Sequence, residues 1–205
     1  MESKVQELRE ALHLFMRSLP DDSFFNIIGF GSSYSKLMES SRRYNDDTLA
    51  IATKHINILA ADMGGTEIYQ PLEYIFKQPL IPGYARQVFL LTDGQVSNTE
   101  QVISLVQKYN TTARTFALGI GDSVSHNLVE GVARAGKGTS AFALEGERIE
   151  KKVLKQLKDG WVSPLSPSLI LFLKILKIFP TRLISQFLFL FSFFLFLFRQ
   201  QPNPP

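Results

Sequence analysis

The stretch QVFLLTDGQVSN, residues 87–98, decides the fold of this chain. It begins as a nearly continuous apolar run, which is typical of a parallel strand that is buried on both faces. The run ends at Thr92, and Asp93 and Gly94 then indicate a turn at the rim of a sheet. A carboxylate in that position normally has a partner, so the first question is what Asp93 holds.

Helix and strand patterns alternate on both sides of this stretch. Further strands are predicted at residues 23–30, 112–121 and 139–144, and helices at residues 2–19, 48–59, after 64–66, and at 97–109, 125–135 and 147–158. Apolar strands separated by helices favour the α/β class, with a doubly wound, mostly parallel, Rossmann-like sheet that carries helices on both faces.

The composition limits the class of protein. The chain has 205 residues, 45% of them apolar and 20% charged, and no cysteine, so neither a disulfide framework nor a thiolate metal site is expected. Its first residues are charged and show no secretory signal, so we expect a cytoplasmic protein. The first 160 residues carry 18 of the 22 basic and all 19 acidic groups, a net charge of −1. No basic footprint for nucleic acid is present there.

The sequence changes character after residue 160, which predicts a body at residues 1–160 and an apolar tail at residues 161–205. The tail contains 9 of the 17 phenylalanines, and its longest uncharged run is residues 183–198. This run is shorter than the roughly 20 residues that cross a bilayer as a helix. Three interpretations stay open: a membrane anchor through residues 169–198, a sequence without an evolved role such as an alternative transcript end, or an arm that packs on the body.

Two side chains are candidates for chemistry. Asp93 follows a predicted strand, and Thr66 follows two glycines at the start of a predicted helix, so both belong at the carboxyl edge of the sheet, where ligands bind in open α/β folds. A carboxylate and a hydroxyl suit a hard cation such as Mg²⁺. The same residues are also consistent with a simple turn and a helix N-cap.

Three motifs in order extend this interpretation: GGTEIYQPL at residues 64–72, QVFLLTDGQVSN at 87–98 and FALGIGDSVSHNLVEGVARAGKG at 116–138. Together they resemble the von Willebrand factor A domain over about residues 1–160, in particular the intracellular branch in which this domain follows a VIT domain. The resemblance implies a metal-ion-dependent adhesion site (MIDAS) for Mg²⁺, in which Thr66 and Asp93 match the threonine and aspartate ligands.

The chain departs from that family pattern at one point. It has no Asp-x-Ser-x-Ser motif, which closes the family's first strand, so three of the five expected ligands are absent. The resemblance therefore implies an incomplete site that does not hold metal. It also implies that the central first strand is missing, so that either residues 23–30 pair directly with residues 87–92 or the sheet opens.

By resemblance, the function is that of a non-catalytic protein–protein interaction module whose partner is unidentified. A role in the control of cell growth is implied by the same resemblance alone. The alternative is a membrane fragment anchored by its C-terminal tail. An enzyme is not predicted, because the sequence shows no nucleophile, no second carboxylate at a defined spacing and no phosphate loop.

Overall fold

The computed structural model describes residues 2–59, 65–144, 147 and 149–161. The chain divides into two compact units, Met1–Pro79 with Arg86–Trp161, and Leu80–Ala85 with Val162–Pro205. In the second unit the described part is a turn, in which the Tyr84 N–H donates to the Ile81 carbonyl at 3.0 Å. The remainder of this section concerns the first unit.

Helices and strands alternate through most of the first unit, as the sequence predicts. The described elements are α1 Glu2–Arg17, β1 Phe24–Phe25, β2 Ile28–Phe30, β3 Tyr34–Lys36, β4 Arg42–Arg43, α2 Asp46–Asn57, α3 Tyr69–Lys77, β5 Arg86–Thr92, α4 Thr99–Lys108, β6 Ala113–Ile120, α5 His126–Ala135, β7 Lys137–Ala143 and α6 Glu150–Trp161.

The centre of the unit is a parallel sheet with the strand order β5-β6-β7. Alternate residues of β5 belong to different apolar clusters, because successive side chains of a strand point to opposite faces. Val88 and Leu90 lie in a cluster with residues of α3, α4 and α5, whereas Phe89 and Leu91 pack against a cluster built from α1 and α6. Helices thus cover both faces of a parallel sheet, and the predicted α/β class is confirmed.

The segment at residues 23–30 is not one strand of this sheet. It divides at Asn26 into β1, which pairs antiparallel with β4, and β2, which pairs antiparallel with β3. The Asn26 side chain occupies the break: its amide nitrogen donates to the Met38 carbonyl at 2.6 Å, and its oxygen accepts the Met38 N–H at 3.1 Å. One side chain therefore replaces a rung of backbone hydrogen bonds between the pair β1–β4 and the pair β2–β3.

The sequence predicts either direct pairing of residues 23–30 with β5 or an open sheet. Among the described residues β5 has one neighbouring strand, β6, and neither β1 nor β2 is hydrogen-bonded to it. Of the two arrangements predicted from the sequence, direct pairing is therefore not adopted.

Several helix starts differ from the sequence-based predictions, among them those of α2, α4 and α6, the last of which begins at Glu150 rather than at residue 147. Helix α2 begins at Asp46 rather than at residue 48, because Asn45 caps it and Thr48 completes a capping box. Helix α4 begins at Thr99 rather than at residue 97, and Asn98 occupies its N-cap position without making a side-chain capping bond. The Asn98 amide is instead used in a contact with Glu67, at 3.4 Å.

Polar contacts attach α6 to the sheet. Lys152 donates to the Phe142 carbonyl and to the Glu147 carboxylate. The hydrogen bond from Lys152, together with one from the Leu144 N–H, lowers the pKa of Glu147. Gln156, only 2% exposed, donates to the carbonyls of Ala117 at 2.7 Å and Thr139 at 3.1 Å, where the pairing of β6 with β7 shifts register.

The predicted tail, residues 161–205, lies outside the described residues except for Trp161, which ends α6. Its boundary at residue 160 and the interpretations of its role therefore stay predictions. None of the helices in the described part of the chain is both long enough and apolar enough to span a bilayer.

We expect Gln156→Leu to destabilise the fold by about 2 kcal/mol, because the buried Ala117 carbonyl and the half-buried Thr139 carbonyl would lose their donor while the side-chain volume stays similar. Chemical denaturation of the full chain measures this loss. Lys155→Leu is the matched control, since it makes an aliphatic change at an exposed neighbour on the same helix. Equal stability of the two variants would show that the Gln156 bonds contribute nothing.

Candidate functional site

The carboxyl end of β5 forms the rim at which the sequence places its candidate residues. Thr92, the last residue of the strand, is buried and its hydroxyl accepts the Gly94 N–H at 3.3 Å. This local turn reverses the chain directly after the strand and leaves the Asp93 side chain exposed. The carboxylate therefore faces solvent at the edge of the sheet, as the sequence predicts.

Thr66 lies against this turn. A Cβ atom added to Gly94 would come within 2.5 Å of the Thr66 hydroxyl oxygen, so only glycine allows the two segments to approach this closely. The structure therefore brings Thr66 beside the residue that follows Asp93. Thr66 is not a helix N-cap, because Ile68 holds that position in α3.

Gly65 sets the direction of the segment that carries Thr66. Its φ of +47° lies in the left-handed region, and an added Cβ would come within 2.7 Å of the Ser32 hydroxyl. The backbone thus turns tightly past the end of β2, and this turn presents Thr66 to the rim.

Glu67 is a rim residue that the sequence reasoning missed. Its N–H donates to the Gly31 carbonyl at 2.7 Å, and its carboxylate accepts the Asn98 amide at 3.4 Å. Glu67 therefore joins three loops, which follow β2, precede α3 and precede α4. In the sequence, only the position of Glu67 directly after Thr66 points to this role, because its two hydrogen-bond partners are distant along the chain.

The loop that follows β6 completes the rim. The Gln95 amide donates to the Ser123 carbonyl at 3.0 Å, and the Ser125 N–H donates to the Gly94 carbonyl at 3.5 Å. Ser125 also caps α5 through the Leu128 N–H at 3.2 Å. The loops after β5 and β6 are thereby fixed to each other, and the exposed Asp93 stands on an ordered turn.

The donor set at this rim does not fit a bound Mg²⁺ ion. Thr66 and Asp93 offer one hydroxyl and one carboxylate, whereas Mg²⁺ requires six oxygen ligands in near-octahedral geometry and gives up water reluctantly. Within the described ranges, no group of three or more His, Asp or Glu side chains is placed to hold a metal. Among the described residues, the rim therefore offers only Thr66 and Asp93 of the ligands that the resemblance implies, and whether it binds a cation stays a prediction.

The histidines do not supply an alternative chemistry. His13 hydrogen-bonds Asn57 at 2.8 Å in the seam between α1 and α2, and His126 stacks on Phe142 with ring centroids 4.0 Å apart. These two histidines thus have structural partners, whereas the Nε2 atom of His55 on α2 is buried without a hydrogen-bond partner among the described residues. No hydrogen bond in the described part of the chain joins a histidine to a serine or threonine hydroxyl. The rim is suited to hydrogen bonding and ionic contact with another molecule.

Comparison with known proteins supports the resemblance to the von Willebrand factor A domain. Residues 1–142 match the profile of the von Willebrand factor type A domain. The chain is 42% identical over 164 residues to von Willebrand factor A domain-containing protein 5B1 of Mus musculus, covering 80% of this chain and 14% of that protein. It is 41% identical over 155 residues to protein 5A of Homo sapiens, covering 76% of this chain and 20% of that one. The chain thus spans a fifth or less of these relatives.

Solved structures share the fold at low sequence identity. A von Willebrand factor type A protein from Catenulispora acidiphila superposes with a TM-score of 0.65 at 19% identity, covering 75% of this chain and 37% of that one. Proximal thread matrix protein 1 from the mussel byssus, solved with a zinc-occupied MIDAS motif, gives a TM-score of 0.59 at 16% identity, covering 77% and 43%. The profile match and these relatives lead to one conclusion: the chain belongs to the von Willebrand factor type A domain family.

Proposed function

We propose that the chain is a non-catalytic protein-interaction module that binds its partner at the rim without a resident cation. The observation that carries this proposal is the exposed Asp93 carboxylate on an ordered turn, beside Thr66, with too few ligands for a metal. Rim loops that a rigid sheet positions are the usual place for binding residues in such folds.

The chemistry of the rim defines the contact that a partner makes. In a complete adhesion site, the cation would let an acidic side chain of the partner approach the rim. Here the Asp93 carboxylate faces outward directly and can accept hydrogen bonds from a lysine, an arginine or backbone N–H groups. Glu67 is already engaged by Asn98, so it fixes the rim while Asp93 is left to contact the partner.

The proposal predicts that the fold is insensitive to divalent cations. We expect the melting temperature of the full chain to stay unchanged in millimolar Mg²⁺ or Mn²⁺ and in chelator. Binding at a hundredfold excess over Kd would instead stabilise the fold by about 2.7 kcal/mol. A rise in the midpoint that Asp93→Asn and Thr66→Ala both abolish would show that the rim holds a cation after all.

The proposal also predicts that a charge reversal at the rim removes partner binding. We expect Asp93→Arg to lower the recovery of cross-linked partners from cell extract by tenfold or more, with no effect of chelator. Asp21→Arg is the matched control, because it reverses an equally exposed carboxylate in the loop between α1 and β1. Equal recovery with both variants would contradict binding through the rim, and turnover of a substrate that depends on Asp93 would contradict a non-catalytic role.

A second candidate function is a fragment anchored to a membrane by its tail. The uncharged run at residues 183–198, with Lys174, Lys177 and Arg182 before it, supports this proposal. We expect the full chain then to sediment with membranes and to resist extraction at high salt and alkaline pH. A chain that remains in the cytoplasmic fraction contradicts the anchor and agrees with the cytoplasmic location expected from the sequence.

A further inference from the structure

Helix α2 and its C-cap carry a stripe of four exposed side chains. Asp47, Ile51, Lys54 and Ile58 are spaced by four, three and four residues, so they lie along one side of a helix with about 3.6 residues per turn. Ile51 is 45% exposed and Ile58 is 70% exposed, and both charged side chains are exposed as well. We call these four residues the α2 stripe.

The core of the protein holds another side of this helix. Thr48, Ala52 and Ile56 are buried, and the last two lie in an apolar cluster with Met16 of α1 and Phe25 of β1. These contacts fix the rotation of the helix about its axis. The α2 stripe is therefore held on the outer side of the helix.

The two isoleucines distinguish the α2 stripe from ordinary surface. Large apolar side chains that are exposed singly are common on proteins, and Leu154 of α6, which is 36% exposed, is such a case. Among the side chains that the structure describes, no other helix exposes two of them. Ile51 and Ile58 follow each other along the same side of α2, about 10 Å apart along the axis. A surface that covers both must run along the helix.

The charged members of the α2 stripe are available to a second molecule. Asp47 lies in the first turn of α2 and Lys54 in the last, where each charge also suits the helix dipole. Two turns separate them, which is too far for a contact within one helix. No hydrogen bond or salt bridge joins either side chain to another described residue.

The chemistry of the α2 stripe is symmetric about Ile51, with an acid four residues before it and a base three residues after it. A second copy of α2 that crosses antiparallel, with the two Ile51 side chains on a two-fold axis, brings Asp47 level with Lys54 of the second copy. The axis repeats this pair, so a salt bridge lies on each side of the isoleucine contact. A parallel pair would instead place acid beside acid and base beside base.

The same alignment also covers Ile58 and sets the size of the contact. Ile58 extends past Asp47 of the second copy and lies beside residues 43–45, which lead into its α2 and include the half-buried Tyr44. The contact involves essentially one helix of each copy. Interfaces that bury less than roughly 1,200 Å² are typical of weak and transient association. The pair should therefore form at high local concentration and dissociate on dilution.

We propose that two copies of this chain associate through the α2 stripe as an antiparallel helix pair with two-fold symmetry. Ile51 packs on Ile51 of the second copy, and Asp47 and Lys54 form two reciprocal salt bridges. None of these residues belongs to the rim, so the pair carries two rims and each copy keeps its own binding surface. A partner with repeated binding sites would then be held by both rims at once, which raises its apparent affinity without a new contact at either rim.

Single cysteines on the α2 stripe test the alignment, because the chain has no cysteine of its own. Ile51→Cys lies on the two-fold axis and should give disulfide-linked dimers of the full chain under mild oxidation, since Cα atoms within about 7 Å can be bridged. Ile58→Cys is the matched control. It is exposed on the same stripe, but its two copies lie about 21 Å apart in the antiparallel pair. We expect at least tenfold more dimer from Ile51→Cys.

Equal yields from the two cysteine variants would overturn the proposal, because a parallel pair, or association through the apolar tail, would link both positions alike. Absence of a dimer from Ile51→Cys would overturn it as well. Both substitutions replace exposed side chains, so the fold should be retained.

A charge exchange gives an independent measurement of the same contact. Asp47→Lys and Lys54→Asp should each lower the dimer fraction of the full chain in sedimentation equilibrium, because like charges then face each other across the axis. An equimolar mixture of the two variants should recover it, since each introduced charge then meets its opposite. A mixture that behaves as its separate components, or an unmodified chain that stays monomeric up to millimolar concentration, would contradict the proposal.

Discussion

The parallel pairing of β5 with β6 is the constraint on which the rest of the unit depends. A parallel pair has no hairpin to shorten its connection, so each strand requires a helical crossover, and the crossovers place helices on the faces of the sheet. This explains why α3, α4 and α5 share one apolar cluster while α1 and α6 contribute to the other. The same pairing fixes the level at which β5 and β6 end, and hence the position of the rim loops.

Close approaches between backbone segments hold the loops of the rim in place. Because Gly94 and Gly65 have no side chain, Thr66 can approach Gly94 and Ser32 can approach Gly65. Glu67 is hydrogen-bonded through its N–H and through its carboxylate to residues distant in the sequence. The shape of the rim thus depends on glycines and on backbone hydrogen bonds, whereas the binding of a cation would depend on the side-chain oxygens of Thr66 and Asp93.

The sequence allowed prediction of the elements whose signals are local. The strands β5 and β6 contain the apolar runs 88–91 and 116–120, and the α/β class followed from the alternation of such runs with amphipathic helices. Strands β3 and β4 were missed because they are two or three residues long, polar or exposed, and aligned by the side chain of Asn26. The structure places Asp93 after a strand end and Thr66 beside Gly94, as the strand end and the pair of glycines in the sequence indicate, whereas their role as metal ligands stays a prediction. The role of Glu67 was not predictable, because it arises from partners 36 and 31 residues away.

The rim and the edge of β5 depend on different groups of the same strand. The rim depends on the turn that follows Thr92, whose hydroxyl accepts the Gly94 N–H, and on the loop contacts that hold this turn against the segment after β6. The edge depends on the backbone of alternate residues of β5, because successive residues of a parallel strand direct their N–H and C=O groups to opposite sides. A substitution of the Asp93 side chain should therefore change the contact with a partner while the strand pairing that carries the rim is left intact.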